Sequence, residues 1–263
     1  MKIAAALAAL LVAAPAAAQD QPRDYCPARP GLGSPACTID PGRVSVETSL
    51  ADWTFDRQGG DRTDTVLVGD TLIRVGLTDT VEAQIGWTPV GFVRERSGHA
   101  VDKATRVGDV TLGLKANFAS PDGSGLSIAA QPFVTLPAGR SPVGAGDWGA
   151  GVVIPVTYDL SKTFNIQFVP GVDAAVNGDG RGRHFAASAV VGLGIALNDK
   201  LSVELESQAL RDDDPAGRTW QDKAALSFAY KAGDNLQFDM GGVAGLNRNT
   251  PDIELLAGIA RRF

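Results

Sequence analysis

The sequence predicts an all-β protein: a transmembrane antiparallel up-and-down β-barrel of about twelve strands, placed in a bacterial outer membrane. Three patterns carry this reading. Apolar residues recur at every second position in run after run, which is the period of a strand. The linkers between runs alternate, short and then long and polar, as the periplasmic turns and external loops of a barrel do. Aromatic residues gather at both ends of the runs. Trp53, Trp87, Trp148 and Trp220 fall beside the longer linkers, and Phe118, Tyr158, Phe164, Tyr230 and Phe263 fall at the opposite ends. Two such girdles mark the two interfaces of a bilayer.

In chain order, the first element is MKIAAALAALLVAAPAAAQD, residues 1–18 of which read as a signal peptide. One Lys precedes an uncharged run from Ile3 to Ala14, and Ala16-Ala17-Ala18 supplies the small-residue cleavage site. Residues 19–41 form a second segment, in which Pro22, Pro27, Pro30, Pro35 and Pro41 leave little room for helix or ladder. It is expected to be an irregular periplasmic extension. Cys26 and Cys37 can pair there in an oxidising compartment, and whether the segment enters the pore is not fixed by the sequence. Residues 42–263 are the barrel.

The clearest barrel run is LSVELESQAL, with Leu201, Val203 and Leu205 on one parity and Ser202, Glu204 and Glu206 on the other. A helix would scatter those glutamates around its surface, whereas a strand collects them on one face. GDVTLGLKANF and VEAQIGW repeat the pattern. Twelve runs result, at roughly 43–56, 64–77, 81–90, 108–118, 126–136, 148–160, 164–176, 185–197, 201–211, 221–231, 236–246 and 253–263. The stretches DRQGGDRT and FVRERSGHAVDKATRVG are read as long external loops. In the first run the parity changes between Val46 and Trp53, which predicts a bulge. Pro132, Pro155 and Pro170 stand inside three neighbouring runs, and their missing donors suggest either local irregularities or a weak seam in the wall. IELLAGIARRF keeps its apolar parity to the last residue, so Phe263 closes the final strand at the periplasmic rim and is expected to serve as the signal read by the insertion machinery.

With the apolar parity facing lipid, the other parity lines the lumen. It offers Asp70, Arg74, Glu82, Asp109, Lys115, Gln131, Glu204, Glu206, Asp239 and Glu254, and acids outnumber bases. Across a tight TDT hairpin, Arg74 and Glu82 lie diagonally within reach of each other. Glu204 and Glu206 oppose Gly194 and Gly192, which leaves space around the carboxylates. If the lumen is open, this acidic excess favours cations.

The net charge of −6 argues against a nucleic-acid partner. His184 and Ser188 share a face, yet no serine stands in a nucleophile motif, and the Asp212–Asp214 run reads as a solvated loop. No metal spacing or phosphate loop is present, so no catalytic, cofactor-binding or metal residue is assigned.

PGRVSVETSLADWTFD, TLIRVGLTDTVEAQIGW, GDVTLGLKANF and PFVTLPAG together resemble a family of bacterial outer-membrane transporters linked to meta-pathway phenol degradation. The resemblance covers roughly residues 41–263 and implies uptake of small aromatic or other apolar molecules. Passive transport of such solutes is the leading functional reading. A closed structural or surface-interaction barrel is the alternative, and an outer-membrane lipid hydrolase is the weakest. The expected partners are outer-membrane lipid, a small-molecule solute and the barrel-insertion machinery.

Overall fold

The computed structural model describes residues 22–263; the expected signal peptide lies outside the described residues. From Val44 onward the chain is strand and turn. The strands are β1 (Val44–Gln58), β2 (Asp61–Val68), β3 (Thr71–Gly76), β4 (Val81–Trp87), β5 (Val90–Ser97) and β6 (Ala100–Arg106). They continue with β7 (Val110–Ala119), β8 (Leu126–Leu136), β9 (Gly149–Val153), β10 (Val156–Asp159) and β11 (Phe164–Val176). The last five are β12 (Arg183–Ala196), β13 (Leu201–Asp212), β14 (Thr219–Gly233), β15 (Leu236–Gly245) and β16 (Ile253–Arg262).

Four pairs of these are halves of one barrel strand, so the wall has twelve. β2 and β3 meet β5 and β4 in one continuous register, since Val68 faces Val90 and Thr71 faces Trp87. β6 and β7 continue each other in the same way, as do β9 and β10. All strand pairs are antiparallel, and β16 closes on β1 with Ser45 opposite Arg262. Closure leaves no free edge within the membrane, which a bilayer requires of any sheet that crosses it. The expected bulge is present as a register shift between Ser49 and Ala51. At the three prolines the wall stays paired: Ile154 N–H donates to Pro170 O and Ala129 N–H to Pro155 O, both at 2.9 Å, with the register unchanged on either side.

Two long linkers read from the sequence are instead hairpins. Gly59 and Gly60, with φ of +61° and +99°, make a two-residue turn between β1 and β2, the left-handed pair that a tight hairpin needs. Gly98, with φ of +59°, and His99 make the two-residue turn between β5 and β6. The arms alternate too, but in charge rather than hydropathy, so a search for apolar alternation passes over them. The remaining outer connections, residues 137–148, 177–182, 213–218 and 246–252, are true loops.

Burial is inverted relative to a water-soluble protein. Phe118, Met240 and Val191 are 72%, 60% and 57% exposed on the outside, while Arg74, Glu82 and Lys115 are 0% exposed within. A closed wall with apolar side chains outside and charges inside is built for lipid around it.

Candidate functional site

The lumen is occupied. Residues 22–41, expected to trail into the periplasm, fold back inside the barrel as a plug without regular secondary structure. Ala36, Cys37 and Ile39 are at most 2% exposed. A disulfide joins Cys26 and Cys37 and makes the segment a closed loop. Prolines suit it to this position, because an irregular buried chain has fewer backbone donors to satisfy when some are prolines.

The wall supplies the partners that the plug's backbone lacks. On β1, Glu47 accepts from the N–H groups of Ala28 at 2.7 Å and Arg29 at 3.2 Å. On β13, Glu206 accepts from Leu32 N at 2.6 Å and Gly33 N at 2.9 Å. On β4, Glu82 accepts from Ile39 N at 2.7 Å. The cations of the wall serve the plug's carbonyls. Arg74 donates to Cys26 O at 2.8 Å and Lys115 to Pro35 O at 2.8 Å. Asn117 donates to Ala36 O at 2.8 Å, and Gln237 to Arg29 O at 3.0 Å. Ser34 donates to Gln131 Oε1 at 2.9 Å. Arg29 reaches Asp239 at 3.2 Å, and Arg262 reaches Asp40 at 2.9 Å and Arg23 O at 2.7 Å.

At the centre is a compact charge cluster. Arg74 holds Glu82 through two bonds of 2.8 and 3.0 Å and Glu47 through one of 3.0 Å, with Lys115 Nζ 3.6 Å from Glu82. All four side chains are fully buried. Removing one member of such a cluster strands its partner's charge, so the cluster fixes both the wall and the seat of the plug.

The residues chosen from the lumen parity divide into groups. Arg74, Glu82, Lys115, Gln131, Glu206 and Asp239 contact the plug. Glu204 accepts from Gln167, and the space beside Gly192 and Gly194 is filled by the Gln167 and Asn165 side chains rather than left open. Asp70 accepts from Thr88 Oγ1 at 2.6 Å, and Glu254 pairs with Lys223 at 2.6 Å, both bracing neighbouring strands. Asp109 caps the outer loop through Gly139 N and Ala145 N at 2.8 and 2.6 Å. The lumen acids are therefore engaged by the plug, by neighbouring strands and by the outer loop rather than standing as a free lining. Phe263 exchanges backbone hydrogen bonds with Val44 at the closing seam.

Glu47 and Asn117 also stand on the lumen parity read from the sequence, whereas Gln237 and Arg262, which the same parity places inside, were not singled out as site residues. Sequence reading missed the plug contacts of Tyr25 and Arg29 entirely. Tyr25 bonds Ser45 at 2.7 Å and lies under the Arg262 guanidinium.

Two other features complete the interior. A hollow of about 1240 Å³ opens at the periplasmic mouth between the plug's Pro22–Tyr25 stretch and the turns near Lys162, Asp199 and Lys231, and it reaches up to Glu204. Near the outer rim, His184 Nε2 is 2.8 Å from Asp212 and Nδ1 is 3.0 Å from Asn177 and 3.5 Å from Asp214. The carboxylates approach opposite ring nitrogens, an arrangement poorly suited to chelating one metal ion. Ser188, the other half of the sequence-read pair, packs at Gly171.

Comparison with known proteins places this geometry. The KdgM porin superposes with a TM-score of 0.51 at 6% identity, covering 84% of this chain and 99% of that one. The translocator domain of autotransporter NalP from Neisseria meningitidis gives 0.49 at 14% identity, covering 84% and 88%. The Pseudomonas putida toluene transporter TodX gives 0.45 at 9% identity, covering 84% and 88%. At such identities the likeness to the porin speaks for the barrel fold alone. No curated protein matches in sequence. A family model described as "Putative MetA-pathway of phenol degradation" matches residues 28–263, which takes in residues 28–41 of the plug.

Proposed function

The chain belongs to the MetA-pathway phenol-degradation family, and from that premise we propose that it is an outer-membrane transport barrel for small aromatic or apolar molecules, with residues 22–41 as its closed gate. The supporting observation is how the plug is held. Its fastenings run to β1, β3, β4, β7, β8, β13, β15 and β16, and nearly all are hydrogen bonds or ion pairs. An eight-stranded barrel is narrow enough for its own side chains to fill, whereas twelve strands leave room for a separate segment. Polar fastenings exchange with water at little net cost per bond, so a segment held this way can be displaced and reseated. The straps from Glu206 to Leu32 and Gly33 lie directly above the periplasmic hollow, so opening them joins the hollow to the outer half of the lumen.

The test compares the parent with a chain lacking residues 22–41, both refolded into liposomes. The parent is expected to give little ion conductance and slow swelling with phenol-sized solutes. The deletion is expected to raise both sharply. Equal permeability of the two, with the deletion folded by heat-modifiable mobility, removes the gate from the proposal. No aromatic flux through either supports the closed structural barrel instead.

A further inference from the structure

The four outer strand segments β1, β2, β5 and β6 run past the apolar belt as one small sheet, and its two faces are sorted by charge. Directly opposed residues of an antiparallel ladder share a face. Trp53 opposes Leu255 and Val66, and Val66 opposes Phe92, so this row is on the lipid side. The next row on the same face is Phe55, Asp64, Arg94 and Lys103, and the one beyond it is Arg57, Arg62, Arg96 and Val101. The outward face therefore carries five cations and one acid. The opposite face carries Asp56, Asp61, Glu95 and Asp102 against Arg106.

This sorting works against the sheet's own stability. Arg57 opposes Arg62, Arg62 opposes Arg96, and Arg94 opposes Lys103, and like charges directly opposite destabilise a ladder. Interchanging the charges of neighbouring positions would relieve it. Asp64 bonds Arg62 at 2.7 Å, accepts from Trp53 Nε1 at 3.4 Å and feels the charge of Arg94 opposite it. The Arg62 guanidinium also lies over the Phe55 ring with Arg57 beside it. Among the described residues, Arg96 and Lys103 form no ion pair, and both are exposed. In a chain of net charge −6, cations gathered on one face call for an anionic partner outside the chain.

Height identifies that partner. Two residues along a strand are about 7 Å, and barrel strands tilt by about 40°, so the cationic rows stand roughly 5 and 10 Å beyond the Trp53–Phe92 row along the membrane normal. The headgroup layer beyond a bilayer's hydrocarbon core is about 5–8 Å deep on each side. The first row lies within it and the second at its outer margin. We propose that this outward face docks the phosphate groups of anionic lipid in the outer leaflet, Arg94, Arg96 and Lys103 holding phosphate oxygens while Trp53, Val66 and Phe92 lie against the acyl chains. The proposal rests on the barrel crossing a membrane and not on transport, so failure of the gate would leave it standing.

The test is a titration of the refolded full chain in zwitterionic detergent with a fluorescent bis-phosphorylated lipid A. Saturable binding that weakens with salt is expected. The triple variant Arg94→Gln, Arg96→Gln, Lys103→Gln should bind at least about tenfold more weakly while keeping heat-modifiable folding. Glu95→Gln with Asp102→Asn, on the other face, should bind no more weakly than the parent. Lipid A stripped of its phosphates should bind as poorly as the triple variant does to the phosphorylated form. Undiminished binding by the triple variant, or equal binding of stripped lipid, overturns the proposal. Full competition by inorganic phosphate at the lipid's own concentration overturns the choice of lipid as the occupant.

Discussion

Changing Glu82 to Gln tests whether the central charge cluster sets the gate. The carboxylate receives two bonds from Arg74, one from Gln84 at 2.6 Å and one from Ile39 N at 2.7 Å, with Lys115 at 3.6 Å. Glutamine keeps the shape and one acceptor oxygen but removes the charge. Arg74 and Lys115 then face Glu47 alone, and a neutral group of four becomes cationic in a place with no solvent exposure. Breaking a buried pair costs about 3–5 kcal/mol, and since the retained oxygen still accepts from its neighbours, about 3 kcal/mol is expected. At 1.4 kcal/mol per tenfold, that is a change of roughly 100-fold in whichever equilibrium carries the loss. Because Ile39 of the plug shares the carboxylate with Arg74 of the wall, part of it falls on wall stability and part on the seat. Urea unfolding in detergent should show a lower midpoint, and planar-bilayer recordings should show opening events that the parent rarely gives. Adding Lys115→Met restores neutrality and should recover a large part of both changes, as coupled neighbours do in a double-mutant cycle. A Glu82→Gln protein with the parent's midpoint and the parent's silent trace would refute the reasoning.

The disulfide offers a second handle. Cys26→Ser with Cys37→Ser opens a loop whose ends are 11 residues apart, and chain entropy values its closure at about 3 kcal/mol. Faster proteolysis of residues 22–41 in the folded barrel is expected, and identical protease resistance would show that the wall alone holds the plug. Asp214, in the outer loop, has its carboxyl held below the ordinary range by the N–H groups of Ala216 and Gly178. A depressed pKa contributes stability that is complete above the unfolded value and is lost as pH falls through the folded one, so the tie between loops 177–182 and 213–218 should loosen below about pH 4. Amide protection at Gly178, corrected for intrinsic rate, should fall there in the parent and be pH-independent and low in Asp214→Asn; a flat parent profile contradicts it.

Alternation along the chain determined most of the wall. Side chains of a strand must point to opposite faces, so LSVELESQAL or GDVTLGLKANF announces which residues face lipid and which face in without any knowledge of neighbours. The same local rule put Arg74 near Glu82, because a tight hairpin fixes which residues lie diagonal, and it exposed the bulge near Leu50 as a change of parity. It failed at β5 and β6, where the alternation is of charge signs and the arms look like a polar loop until the partner strands are in place. Only the tertiary structure decided where residues 22–41 go. Their prolines and paired cysteines forbid regular structure, which says how the segment cannot fold but not what surrounds it. The positions that receive it, from Glu47 on β1 to Arg262 on β16, are brought together only when the last strand closes on the first. A lumen exists only in the closed barrel, so its contents cannot be read from any stretch of chain shorter than the whole wall.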